Sequence, residues 1–105
     1  MKNTWYVYIV QCSDKTLYTG CTNNVAKRIL LHNQGLGAKY TKFRRPVRLK
    51  YTEKKPNYSA ALKREAEIKS LSRKSKLQLI KVWRDAERRK KAPHLGRSAS
   101  QGVAA

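Results

Sequence analysis

The first run of apolar positions is "WYVYIVQC", residues 5–12, rich in β-branched and aromatic side chains and followed by the turn-forming cluster "SDKT". "LYTGC" at 17–21 is a second short strand, so the chain opens on a β-hairpin. Asn23 and Asn24 can each cap a helix that starts at Val25 and ends before Gly35 and Gly37. Residues 35–46, "GLGAKYTKFRRP", lack periodicity and read as a basic loop with two aromatics. "VRLKYT" at 47–52 alternates apolar and polar residues, as a half-buried strand does. After Pro56, Ser59 can cap a second helix running to about Leu71. A third runs from Ser72 or Arg73 to about Arg89, with Leu77, Ile80 and Trp83 on its inner stripe. The order β-β-α-β-α-α predicts a small α+β domain, a three-stranded antiparallel sheet with helices packed on it. The domain is expected over 1–84, and 85–105 is read as a basic helix end and a disordered tail.

Charge narrows the function. Among 105 residues, 25 Lys and Arg face 6 Asp and Glu, for a net charge of +19. Such a field attracts polyanions, and nucleic acid is the first candidate. No apolar run approaches the roughly 20 residues that span a bilayer, and the N-terminus lacks a signal-peptide pattern. Cys12 and Cys21 are too few for a disulfide scaffold or a zinc site, and read as buried free thiols of a cytoplasmic protein.

Some polar residues fall where apolar ones are expected. At 100° per residue, Ala61, Leu62, Ala66 and Ile68 define the inner face of the second helix, and Glu65 points into it. Glu67 points almost opposite, toward solvent and a lysine partner such as Lys63. An isolated carboxylate on an apolar face costs several kcal/mol unless a cation, a metal ion or a cleft compensates. Pairing with a nearby Arg or Lys is the plain alternative for Glu65. On the first helix, Arg28 and His32 lie four apart along the edge of the Val25–Ile29 stripe, facing the sheet. Tyr8 and Tyr18 stand on the two arms of the hairpin. A four-residue connection pairing Cys12 with Leu17 would put them on opposite faces. An odd connection or a bulge, pairing Val10 with Tyr18, would put them on one.

The ordered set "YVYIV" with Tyr8, "LYTG" with Tyr18 and Gly20, "KRILLH" with Arg28 and His32, and "KREAEIK" with Glu65 resembles the GIY-YIG nuclease family. It is most similar to the small single-domain bacterial members, whose "HN-G-GA-YT" and "RPV-L" patterns recur at 32–41 and 45–49. The first motif lacks its glycine, reading Tyr6-Val7-Tyr8. The resemblance implies metal-dependent hydrolysis of phosphodiester bonds, in structured or damaged DNA. It implies that Glu65 holds one Mg²⁺ or Mn²⁺ and that Arg28 holds the scissile phosphate. Tyr8, Tyr18 and His32 orient water or phosphate and move the proton, with either Tyr8 or His32 as general base. Gly20 lets backbone pass close to substrate.

The basic loop adds Lys39, Lys42, Arg44, Arg45 and Arg48 for the phosphate backbone, with Tyr40 or Phe43 to stack on a base. Two other readings fit the composition equally: a catalytically weak nucleic-acid-binding module of the same fold, and a basic RNA- or ribosome-associated protein. A protein partner for targeting and the oligomeric state are left open.

Overall fold

In the computed structural model, which describes residues 4–91, the hairpin is formed by β1 (Trp5–Gln11) and β2 (Leu17–Thr22). α1 (Val25–Asn33) and a single turn, α2 (Lys39–Lys42), lead to β3 (Arg48–Lys55). α3 (Tyr58–Lys69) and α4 (Arg73–Lys91) complete the chain. The sheet is antiparallel with order β2-β1-β3. β1 is therefore central and covered on both faces, which is why the unbroken run Val7, Tyr8, Ile9 and Val10 is buried.

Each face carries its own helical layer. Val7, Ile9 and Tyr51 meet Ala61 and Ile68 of α3 and Ile80 of α4. On the other face Tyr8, Val10, Cys12 and Val47 cluster with Tyr18, Leu49 and Ile29 of α1. The Asn33 side chain clasps the strand that follows, accepting from Val47 N at 2.7 Å and donating to Val47 O at 3.2 Å.

The register meets the odd-connection condition. Gln11 pairs with Leu17, Val10 with Tyr18 and Tyr8 with Gly20, so the connection is 12–16 and the two tyrosines share a face. Between β1 and β3 the ladder slips: Ile9 pairs with Tyr51 but Val10 with Leu49, leaving Lys50 as a bulged residue.

Several expectations need correction. The basic segment is not wholly a loop, since α2 forms around a buried Thr41. β3 continues past 52 because the polar Glu53 is held by Tyr51, Lys55 and Arg64. Asn57, not Ser59, caps α3, its side chain accepting from Ala60 N at 2.8 Å. Leu62 and Ala66 are exposed, because the face of α3 on the sheet is narrow and centred on Ala61 and Ile68. Leu77 is likewise exposed on the flank of α4, where Leu79 packs in its place. Cys12 is buried but follows β1 in the connection, and Cys21 is half-buried; both are free thiols. The helix end expected after 84 is the last part of α4, and the segment from 92 onward, with His94, lies outside the described residues.

Candidate active site

Tyr8 projects from the middle of β1 across Gly20 of β2. A Cβ on Gly20 would lie 2.6 Å from Tyr8 Oη and 2.7 Å from Cζ, so only glycine leaves room for this ring. Gly20 therefore makes space for Tyr8 itself. The phenol oxygen lies 2.8 Å from His32 Nε2, and His32 is fully buried. Gly37 plays the matching part for the histidine, since a Cβ there would come within 2.8 Å of His32 Cα.

On the far side of the imidazole, Nδ1 lies 2.8 Å from Thr41 Oγ1, also fully buried. The Thr41 hydroxyl donates to Ala38 O at 3.2 Å, which uses its one proton. His32 Nδ1–H must then donate to Thr41, and Nε2 presents a lone pair that accepts from Tyr8. Burial, and then the Arg28 charge, hold the His32 pKa below its ordinary value, so the imidazole is neutral at pH 7. Burial pushes the Tyr8 phenol up, with Tyr18 adding to the effect and Arg28 opposing it. Tyr8 rests protonated, beside a neutral acceptor.

Tyr18 completes the ring cluster, its centroid 6.5 Å from Tyr8 and 5.4 Å from His32. Tyr40 stacks on Tyr18 at 5.8 Å, and the Arg44 guanidinium covers Tyr40 at 4.1 Å. Arg44 is anchored in turn, to Asp14 Oδ2 at 3.1 Å and Tyr40 O at 2.7 Å. Arg44 and Tyr40 thus roof the site, while Lys39, Lys42, Arg45, Arg48 and Phe43 are exposed.

Arg28 lies on α1 and acts electrostatically on Tyr8, His32 and Cys21. Among the described residues no carboxylate pairs with it, which leaves the guanidinium free for an anion. Glu65 arrives from the opposite layer, on α3, and its charge reaches both Tyr8 and Cys21. Its carboxylate is 15% exposed and pairs with Lys69 Nζ at 2.8 Å, the plain alternative weighed above. Burial first, and then the neighbouring Glu65 carboxylate, raise the Cys21 pKa to about 11. Glu67 is 64% exposed and pairs with Arg64 at 3.1 Å, not with a lysine.

All five candidate catalytic residues therefore converge at the β2 side of the sheet. The GIY-YIG catalytic domain model matches residues 4–78, and this stretch contains every one of them. The chain belongs to the GIY-YIG family. It is similar to a UPF0213 protein of Syntrophus aciditrophicus, 62% identical over 77 residues, 72% of this chain and 88% of that one. A UPF0213 protein of Staphylococcus saprophyticus is 59% identical over 75 residues, 71% of this chain and 92% of that one. The fold is similar to the solution NMR structure of a UPF0213 protein of Bacillus halodurans, 39% identical, with a TM-score of 0.52. That match covers 90% of this chain and 99% of the other.

Three participants escaped the sequence reading: Thr41, Gly37 and Lys69. Gly37 and Thr41 both fall in the "HN-G-GA-YT" pattern at 32–41, but that pattern gives neither of them a role. Lys69, four residues after Glu65 on one helix, is a spacing that could have flagged it.

Proposed function

We propose that this GIY-YIG domain is a metal-dependent endonuclease that hydrolyses phosphodiester bonds in structured or damaged DNA. One observation carries the reading: the chain Tyr8 to His32 to Thr41 places a neutral proton acceptor behind a buried phenol, beside an unpaired Arg28. Any buried tyrosine needs a hydrogen-bond partner; the unpaired guanidinium beside this pair is what points to an anion.

The donor set suits a divalent cation of the hard type. Glu65 offers carboxylate oxygens, the donors such ions take. Among the described residues no three His, Cys, Asp or Glu gather into a cage. Glu65, here paired with Lys69, is the residue that would hold Mg²⁺ or Mn²⁺. Such an ion supplies positive charge to the phosphate and lowers the pKa of water.

The protein residues do the rest. Arg28 holds the scissile phosphate and offsets the charge that builds on its oxygens. Tyr8 Oη takes a proton from the attacking water as it gives its own to His32 Nε2. The water oxygen bonds to phosphorus, the ester P–O bond breaks, and the leaving oxygen takes a proton from solvent, while the proton held on His32 returns through Tyr8 to water. Tyr18, held by Tyr40, orients the water or the phosphate. Tyr8 is thus the group in contact with water, and His32 is the base behind it.

The Glu65–Lys69 pair favours a second reading, a module that binds nucleic acid without cutting it, because the carboxylate is already neutralised. Incubation with plasmid, branched DNA and structured RNA, in Mg²⁺, Mn²⁺ or EDTA, separates the two. Cleavage of DNA that needs metal, vanishes in Glu65→Ala and Arg28→Ala, and persists in Glu67→Ala supports the nuclease. Binding without cleavage on every substrate supports the module.

A further inference from the structure

A cavity of about 340 Å³ opens between the hairpin connection and the start of β3, lined by Gln11, Lys15, Arg48 and Lys50 among others. None of Tyr8, Tyr18, Arg28, His32 or Glu65 lines it. Three cations share the cavity and no carboxylate does. Asp14, next in sequence to Lys15, is turned to Thr16 and Arg44 instead. Among the described residues, none of the three cations is in an ion pair.

Two backbone irregularities hold them there. Lys15 has φ of 73°, the one non-glycine residue with positive φ among those described. That region favours glycine and is unfavourable for a lysine. Its carbonyl is pinned by Arg73 Nη2 at 2.9 Å. Lys50 is the bulged residue of β3, released from the ladder and re-aimed, as bulges do. Two independent departures from regular backbone thus bring together like charges that repel one another. An anion between them removes that repulsion, and a phosphate has the charge and the acceptor oxygens for two lysines, an arginine and the Gln11 amide.

We propose that this pocket is a phosphate subsite: it holds a phosphate group of the nucleic-acid substrate other than the one at Tyr8 and Arg28. The inference rests on the nucleic-acid reading above and deepens it. A second fixed phosphate sets where along a strand the scissile bond lies, which a small domain otherwise leaves to diffuse attraction.

The test measures binding in EDTA, so that it is independent of cleavage. A labelled hairpin DNA, with and without a terminal phosphate, is titrated against the intact chain and against Lys15→Gln, Lys50→Gln and Lys63→Gln. Lys63 is exposed on α3, away from the pocket, and matches the charge change. The pocket predicts a loss of about threefold or more for Lys15→Gln and Lys50→Gln, a salt slope shallower by about 0.9 in each, and little change for Lys63→Gln. Preference for the phosphorylated hairpin that disappears in the pocket variants assigns a terminal phosphate; equal losses on both hairpins assign an internal one. Amide spectra titrated with inorganic phosphate should show saturable shifts at Gln11, Arg48 and Lys50 that chloride at equal ionic strength does not produce. Equal losses in all three variants, or phosphate shifts without any loss of DNA binding, would overturn the proposal. A protein that cuts DNA yet shows no difference among the variants would sink the pocket and leave the nuclease reading intact.

Discussion

Replacing Thr41 by valine removes one hydroxyl and keeps the side-chain shape. In the native protein that oxygen accepts from His32 Nδ1 at 2.8 Å and donates to Ala38 O at 3.2 Å, with both side chains fully buried. The variant leaves a buried N–H without an acceptor, a cost of about 1–3 kcal/mol. In a domain of this size each kcal/mol lowers Tm by roughly 4–8 °C. Moving the imidazole proton to Nε2 avoids part of that cost, but Nε2–H then donates to Tyr8 Oη. Tyr8 is left with no base behind it, and cleavage is expected to fall by about 10²–10⁴. Thr41→Ser should restore both stability and rate. Thr41 is a positioning residue on this view, and the direct readout is the imidazole tautomer by nitrogen NMR. Nδ1–H is expected in the native protein and Nε2–H in Thr41→Val. A native Nε2–H, or a variant that keeps both Nδ1–H and the native rate, would refute the reasoning.

Gly20→Ala forces the Tyr8 ring off its position, because the new Cβ would lie 2.6 Å from Oη of a buried side chain. A destabilisation of about 1–3 kcal/mol and loss of the Tyr8–His32 bond are expected; a structure of the variant with that bond intact rules this out. The folded pKa of His32 lies below 6.5, so between the two values the unfolded chain binds a proton that the native state does not. This contribution to stability is complete above pH 6.5 and is lost as pH falls below it. Tm should decline with acidification over that range, and His32→Gln should flatten the decline. Glu53 acts lower: burial opposes its ionisation, but Lys55, Tyr51 and Arg64 together hold it at about 2, against 4.5. Its contribution is present above pH 4.5 and is lost as pH falls toward 2, a loss that Glu53→Gln should abolish in acid unfolding curves.

The elements followed from pattern where burial is one-sided. The hairpin is legible because β-branched and aromatic residues flank a turn cluster, and the shared face of Tyr8 and Tyr18 reduces to the parity of one connection. Glu65 could be singled out because a carboxylate on the Ala61–Ile68 face is costly unless something compensates it, as Lys69 does here. The apolar faces of the two long helices were drawn too wide. Leu62, Ala66 and Leu77 lie on flanks that a thin three-stranded sheet does not cover. Thr41 and Gly37 stand in the family-like pattern at 32–41, but their roles come from contacts with His32, nine and five residues away, that no periodicity encodes. Arg44 read as one more phosphate contact, but Asp14 of the distant hairpin connection holds it over Tyr40. Local pattern cannot see a partner thirty residues away.

The hydrogen-bond chain from Tyr8 ends on a backbone carbonyl, that of Ala38, and not on solvent. A carbonyl accepts a proton's attraction but does not hand the proton on. On the nuclease reading, a charge received by His32 is therefore held in a cul-de-sac whose one door is the phenol. The proton that enters when water is activated has to leave by the same tyrosine, toward water. Recovery of the site between turnovers would then carry the same pH dependence as the cut, a symmetry that pre-steady-state kinetics can check.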